Sequence, residues 1–191
     1  MLYLKKCSFI DGKGLLEMSC SRNGNTITAN VHAPYILGMA LHFLHLNKNE
    51  KVTFVLKVQE SAKKELDYSK SDCESRERNH YRIPVESFEK ATSILFFFSE
   101  ILSKDGLCFF GFETESGDIF MSEKYNIITI TSENLGKYDE IFEAVNMPKK
   151  DKIITAYDVM SKNNPGFSKA YTFKGVGVSD IPDLIKAYGI I

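Results

Sequence analysis

Residues 16–31 read LEMSCSRNGNTITANV and are the most informative stretch for the fold class. Apolar residues alternate with other residues on both sides of Asn23-Gly24-Asn25, at Leu16, Met18 and Cys20 and then at Ile27, Ala29 and Val31. A period of two is typical of a β-strand with one buried face. Asn and Gly accept the positive φ that a tight turn requires. The stretch therefore predicts an antiparallel hairpin over residues 14–32 that turns at Asn23-Gly24.

The rest of the chain mixes short alternating strands with helical spacing. Further strands are predicted at residues 2–9, 52–58, 107–113, 118–122, 125–131, 153–160 and 167–174. Helices are predicted at residues 35–46, 84–104, 135–145 and 179–188. The second helix is expected to be the longest, with Phe88, Leu95, Phe98 and Leu102 buried at positions that follow the helical i, i+3, i+4, i+7 spacing.

Most of the predicted strands are joined by hairpins rather than by helical crossovers. The strands between residues 107 and 131 follow one another as a three-stranded meander. Such connections favour an α+β fold with an antiparallel or mixed sheet and about four helices. No linker rich in Ser or Pro divides the chain, so residues 1–191 are expected to form a single domain.

Composition excludes two broad classes of protein. The chain has 191 residues, 43% of them hydrophobic and 12% aromatic, which is enough apolar surface to form a core and excludes disorder of the whole chain. Its 24 Lys and Arg residues against 25 Asp and Glu residues leave a net charge of -1. That balance argues against the broad positive field of a nonspecific nucleic-acid-binding protein, although it is compatible with a local basic groove.

Cysteine spacing and the N-terminus indicate a reducing, cytoplasmic location. The four cysteines form no CxxC pair, which argues against a zinc knuckle or a thioredoxin-type site. Cys7, Cys20 and Cys108 are expected to be buried and Cys73 to be exposed. The N-terminal residues MLYLKKC are unlike a signal peptide. The most apolar stretch, ILFFFSEIL at residues 94–102, is too short to cross a bilayer and predicts a buried helix.

One segment is far more charged than the rest. Residues 60–80, ESAKKELDYSKSDCESRERNH, carry eleven charged residues. A segment of this composition is expected to lie outside the core as a charged surface excursion. Composition leaves two forms open, a surface helix followed by a loop or a mobile excursion.

Three groups of residues are candidates for chemistry. His42 and His45 have the i, i+3 spacing that would let both imidazoles share a metal, but no third ligand is suitably spaced. His80 and Arg82 could serve acid/base chemistry on a phosphodiester. Aromatic residues of predicted strands could stack the bases of single-stranded nucleic acid, namely Phe109, Phe110, Phe112, Phe120, Tyr171 and Phe173.

Each candidate also has a simpler interpretation as a surface histidine, a strand-edge histidine or a core aromatic. Core packing is favoured for the phenylalanines because Glu113, Glu115 and Asp118 flank them and would repel a phosphate backbone. The chain has no GxSxG motif, no Walker glycine loop and no GxGxxG motif. The sequence therefore predicts no catalytic residue, no metal site and no cofactor.

The chain resembles, in general character, the immunity proteins of bacterial polymorphic-toxin and contact-dependent growth inhibition systems. The likeness consists of one cytoplasmic α+β domain without a catalytic signature, a sequence rich in Lys, Asn, Ile and Phe, and the charged excursion at residues 60–80. The resemblance implies a non-catalytic protein that binds a cognate toxin domain, often a nuclease, and covers its active site. The alternatives are a single-stranded nucleic-acid-binding protein with an aromatic strand platform, or an enzyme with a site near His80 and Arg82.

A nuclease toxin must carry a basic cleft, and the excursion offers acidic side chains that could imitate phosphates. The residues expected to bind this partner are Glu65, Asp67, Asp72, Glu74 and Glu77. Neighbouring lysines and arginines nearly cancel their charge, which favours a solvated surface as the simpler interpretation.

Replacing these five carboxylates with amides should slow association with the basic partner, because opposite charges steer the encounter. We expect the association rate constant, measured by surface plasmon resonance at low salt, to fall about tenfold or more. An unchanged rate and affinity would exclude the segment from the interface.

Overall fold

A computed structural model of the chain describes residues 2–10, 16–59, 78–161 and 164–190. It confirms the predicted α+β class, with nine β-strands and six α-helices in these ranges. The strands are β1 (Ser8–Ile10), β2 (Ser19–Asn23), β3 (Thr26–Asn30), β4 (Val52–Gln59), β5 (Arg78–Val85), β6 (Cys108–Thr114), β7 (Ile119–Ser122), β8 (Ile127–Thr131) and β9 (Gly166–Ser168). The helices are α1 (Ile36–Leu46), α2 (Phe88–Phe97), α3 (Ser99–Lys104), α4 (Asp139–Glu143), α5 (Ala156–Val159) and α6 (Ile181–Ala187).

Seven strands form one antiparallel sheet in the order β2-β3-β8-β7-β6-β4-β5. The predicted first hairpin is β2–β3 and the predicted meander is β6–β7–β8, so both are confirmed. β3 also pairs with β8, which places Thr26 opposite Thr131 and joins the hairpin to the meander. The remaining strands, β1 and β9, pair with each other as a separate antiparallel ribbon.

The first hairpin turns through Gly24 and Asn25, because Asn23 pairs with Thr26. Gly24 has a φ of 56°, in the left-handed region that residues with a Cβ rarely adopt. The turn is therefore built from Asn and Gly residues, as the sequence predicts. Its two loop residues are Gly24 and Asn25 rather than Asn23 and Gly24.

The main core lies on one face of the seven-stranded sheet, where α1 and α2 pack together. Phe43 of α1 contacts the rings of Phe120 and Tyr138, with centroid distances of 5.7 and 5.1 Å. On β8, Ile128 belongs to this core and Ile127 to a smaller cluster that includes residues of the N-terminal segment. Since neighbouring strand residues point to opposite faces, the sheet carries apolar layers on both of its faces.

The cysteine prediction can be compared with the fold at three of the four positions. Cys7, Cys20 and Cys108 are buried free thiols, as expected. Cys73 lies outside the described residues. Among the helices in the described ranges, none combines the length and the apolar character that a membrane crossing requires.

The predicted long helix at residues 84–104 is wrong at its start and in its middle. Pro84 lies in β5, an edge strand of the sheet, which is the position where sheets accommodate proline. α2 starts only after Ser87, whose hydroxyl accepts the N–H of Lys90 at 3.3 Å. Ser99 then donates its hydroxyl to the carbonyl oxygen of Phe96 at 2.9 Å, where α2 ends and α3 begins. The longest helix in the described ranges is consequently α1, with 11 residues.

Burial within this region follows the predicted spacing in three of four positions. Leu95, Phe98 and Leu102 are buried, whereas Phe88 is only partly buried against the core. Phe88 stands in the first turn of α2, at the margin of the helix-covered face.

The predicted strand at residues 153–160 is also wrong, because α5 forms there instead. The Thr155 N–H donates to Asp158 Oδ2 at 2.8 Å, and the Thr155 hydroxyl contacts the same carboxylate at 2.7 Å. This capping box stabilises a short helix that the alternation of apolar residues did not indicate.

The predicted strands at residues 2–9 and 167–174 are longer than the ones that form. They shorten to β1 and β9, in which Ser8 lies opposite Ser168. Beyond β9 the N–H of Tyr171 donates to Asp105 Oδ2 at 2.7 Å rather than to a neighbouring strand. The buried carboxylate of Asp105 therefore accepts the hydrogen bond that the Tyr171 N–H would give to a neighbouring strand if β9 continued.

Leu95→Ala should lower the free energy of unfolding by about 2 to 5 kcal/mol, because it leaves a cavity under α2. Leu95 is 4% exposed, and the adjacent Phe96, at 66%, offers a matched control. Phe96→Ala should change stability by no more than about 0.5 kcal/mol in the same urea titration. Equal effects of the two substitutions would mean that the buried face of α2 is misassigned.

Candidate interaction surface

The five acidic residues predicted to bind a partner, Glu65, Asp67, Asp72, Glu74 and Glu77, lie outside the described residues. The structure does describe the two strands that the segment connects. Gln59 at the end of β4 pairs with Arg78 at the start of β5. The expected excursion is too long at its C-terminal end, because residues 78–80 already belong to β5.

The histidines with metal-like spacing have separate partners. His42 Nε2 lies 3.1 Å from Glu140 Oε1, and the ring of His45 packs edge-on against Phe88. His32 accepts the backbone N–H of Tyr3 through Nδ1 at 3.0 Å, and partial burial lowers its pKa. Within the described ranges, no group of three His, Cys, Asp or Glu residues is placed to hold a metal ion.

His80 and Arg82 lie two positions apart on β5, on the exposed edge strand. Arg82 Nη2 is 2.6 Å from Glu113 Oε2, so its guanidinium is held across the sheet by a carboxylate. His80 is exposed and stands opposite Lys57 on β4. The pair therefore contributes to a solvated face with its cation already neutralised.

The phenylalanines of the predicted stacking platform belong to the interior, namely Phe109, Phe110, Phe112 and Phe120. This confirms the core interpretation of those rings. Phe54 and Phe112, for example, pack against each other with centroids 5.4 Å apart. Tyr171 and Phe173 differ from this group, since Tyr171 is only partly buried and Phe173 is 39% exposed.

A polar network links the end of α1 to the turn between β6 and β7. The Tyr138 hydroxyl donates to Asp118 Oδ2 at 2.5 Å and accepts from Asn47 Nδ2 at 3.1 Å. Lys137 Nζ reaches Asn47 Oδ1 at 2.5 Å and Asp118 Oδ2 at 3.5 Å. Every one of these groups has a partner, so the network fixes the packing of three elements.

The electrostatics of this network suit a structural role. Burial alone would raise the pKa of Asp118, but hydrogen bonds from Ser132 and Tyr138 and the charge of Lys137 hold it below its usual range. Burial and the hydrogen bond to Asp118 raise the pKa of Tyr138. The carboxylate thus stays charged and the phenol stays neutral near pH 7, which is the protonation state that the hydrogen bonds require.

Lys5 is a buried cation that sequence reasoning did not identify. It is 2% exposed, and its Nζ lies 5.4 Å from the ring centroid of Phe110. Nζ has no hydrogen-bond partner within the described ranges. Burial lowers the pKa of Lys5, and the negative charge of Asp105 opposes that change.

Three large aromatic side chains remain exposed where α2 ends. Phe96 and Phe97 are each 66% exposed and Tyr188 is 61% exposed. The rings of Phe97 and Tyr188 stack at a centroid distance of 6.1 Å. We call Phe96, Phe97 and Tyr188 the aromatic patch. The expectation that the whole ILFFFSEIL stretch is buried is therefore wrong at Phe96 and Phe97.

A signal for part of the patch is present in the sequence. The helical spacing that predicts the buried face of α2 runs through Leu95 and Phe98 and skips Phe96 and Phe97. Two phenylalanines at skipped positions of an amphipathic helix face solvent unless another element covers them. Tyr188 had no such signal, because only the tertiary fold brings α6 beside α2.

No family model matches the chain, and neither a curated protein nor a solved structure matches it.

Lys5→Met should raise the free energy of unfolding at pH 7 by about 1 to 3 kcal/mol, because it removes an unpartnered buried polar group. In the parent protein the unfolded state binds the Lys5 proton more tightly than the folded state does. The free-energy cost of burying protonated Lys5 is therefore at its maximum below the pKa of Lys5 in the folded state. This cost disappears as pH rises towards the pKa of Lys5 in the unfolded state.

Urea titrations between about pH 7 and pH 10 measure this effect as the difference between parent and variant. That difference should shrink as pH rises. A constant difference would mean that Lys5 has equal proton affinity in the folded and unfolded states.

Proposed function

We propose that this chain is a non-catalytic protein-binding module of the immunity type, which binds a cognate toxin domain and blocks it. The observation that carries the proposal is the aromatic patch. Scattered single apolar residues are ordinary on a surface, but a stacked pair of exposed aromatic rings with a third exposed ring at the next position of the chain is typical of a binding site. Aromatic side chains in the centre of an interface supply most of its binding energy.

The geometry of the rings suits a role as an anchor. Phe97 ends α2, Tyr188 directly follows α6, and the two rings already stack on each other, so little side-chain entropy is lost on binding. Phe98, beside them in the chain, is 4% exposed and anchors the end of α2 in the core. Phe96 and Phe97 are therefore held at the end of a helix that is anchored in the core.

The patch, at the end of α2, lies on the stretch of chain that returns towards the end of the sheet from which the charged segment departs. β5 ends with Val85 opposite Val52, and β6 begins with Cys108 opposite Val58. α2 and α3 must therefore run back along the sheet between these two ends. Residues 60–77 connect Gln59 to Arg78 at the end that α3 approaches. This supports one interface with an apolar centre and an acidic contribution from the segment.

Such an interface matches what an inhibitor of a nuclease needs. The acidic side chains predicted at residues 60–77 would approach the basic cleft, and the aromatic patch would supply contact area that excludes water. The inhibitor itself performs no chemistry in this mechanism, because it acts by occupying the active site of its partner.

The proposal is tested with the toxin domain encoded by the gene upstream of this one. Purified chain and toxin domain should form a stable complex, and the chain should restore growth of cells that express the toxin. Phe96→Ala, Phe97→Ala and Tyr188→Ala should each weaken the complex about tenfold or more by calorimetry. Ile154→Ala, at a side chain that is 51% exposed elsewhere, is the matched control and should leave affinity unchanged.

An upstream gene that encodes no toxin, or a toxin domain that the chain neither binds nor neutralises, would contradict the proposed function. If the complex forms but all three aromatic variants bind with unchanged affinity, the proposed function stands and the aromatic patch is not part of the interface.

A further inference from the structure

The ribbon formed by β1 and β9 carries a second surface feature, which is independent of the aromatic patch. Clefts that bind small ligands commonly measure about 300 to 1,000 Å³. The cleft beside the ribbon measures about 560 Å³ and is lined by Lys6, Cys7, Ser8, Phe9, Phe167, Ser168 and Lys169. We call it the ribbon cleft. It combines aromatic rings with cations, which is the composition of a single-strand-binding groove.

The aromatic part consists of a cross-strand pair. Phe9 lies opposite Phe167 in the ribbon, and their ring centroids are 6.4 Å apart. Phe9 is 49% exposed and Phe167 is 46% exposed. Both side chains point to the same side of the ribbon, because directly paired residues share a face. Both rings are therefore about half exposed on one side of the ribbon, where a planar ligand could contact them.

The cationic part is assembled by backbone hydrogen bonds between three distant stretches of chain. The N–H of Cys7 donates to the carbonyl oxygen of Lys104 at 3.1 Å, and the N–H of Lys169 donates to that of Cys7 at 2.9 Å. This brings Lys6, Lys104 and Lys169 to one place. Lys6 and Lys104 each hold their Nζ near the ring of Tyr171, at 5.7 and 5.5 Å from its centroid.

Among the described residues, the acidic groups near the ribbon cleft do not cancel these charges. Glu100 forms an ion pair with Lys104, which lies one helical turn further along α3. Asp105 is fully buried and accepts backbone N–H groups from Leu107 and Tyr171, both at 2.7 Å. Lys6 and Lys169 are exposed and retain the positive charge of the surface.

We propose that the ribbon cleft binds single-stranded nucleic acid, with bases stacked on Phe9 and Phe167 and phosphates held by Lys6 and Lys169. This goes beyond the proposed function, which needs neither the ribbon nor a nucleic acid. Single strands fit better than duplexes because a duplex hides the base faces that these rings would contact. A net charge of -1 for the whole chain does not oppose the proposal, since a groove acts through its local charge.

The test uses the full chain and a dye-labelled ten-nucleotide oligothymidylate in a fluorescence anisotropy titration. We expect saturable binding at about 50 mM salt that weakens about sevenfold at about 200 mM, as two phosphate contacts predict. Phe9→Ala and Phe167→Ala should each weaken binding about fivefold to a hundredfold. Lys6→Gln and Lys169→Gln should each reduce the slope of log affinity against log salt by about 0.7.

Ile154→Ala and Lys186→Gln are matched controls, since both residues are exposed and lie outside the ribbon cleft. No saturable binding up to about 100 μM chain at low salt would overturn the proposal. Equal binding of duplex, or of an acidic peptide, would overturn the base-stacking assignment. Because no toxin is present in this assay, its outcome is independent of the test of the proposed function.

Discussion

Strands Thr26–Asn30 and Ile127–Thr131 lie side by side in the sheet, and the rest of the structure depends on this pairing of β3 with β8. It joins the first hairpin to the meander, and without it the seven-stranded sheet would separate into two-stranded and five-stranded parts. The Thr26 and Thr131 hydroxyls meet at 3.1 Å at one end of the pair. At the other end, Asn126 accepts the N–H of Val31 at 3.0 Å, and its side chain also binds the N-terminal segment.

The parts of the fold that were predictable are those governed by short-range rules. Turn residues and alternation identified the first hairpin and the meander, because both depend on neighbours in the sequence. β5 was missed because its alternation at Tyr81, Ile83 and Val85 is interrupted by charged residues and ends beside Pro84. At residues 153–160 alternation was present, but a local capping box competed with it and prevailed.

The candidate surfaces were less predictable, because they depend on which distant residues meet. Phe96 and Phe97 occupy skipped helical positions and could have been identified, whereas Tyr188 required knowledge of where α6 docks. Lys104 and Lys169 belong to separate segments, and only backbone hydrogen bonds through Cys7 bring them together. Burial of Lys5 contradicts the usual exposure of lysine, so composition offered no indication of it.

The pairing of β3 with β8 also has a consequence for the order of events during synthesis. Thr26 and Thr131 are 105 residues apart, and Lys5 and Asn126 are 121 residues apart. While the chain is emerging from the ribosome, the β2–β3 hairpin has no neighbouring strand until residues 127–131 have been made. During that interval one edge of β3 is open to wrong partners. The seven-stranded sheet of this chain can therefore be completed only after residues 127–131 have left the ribosome, which is late relative to the synthesis of the first hairpin.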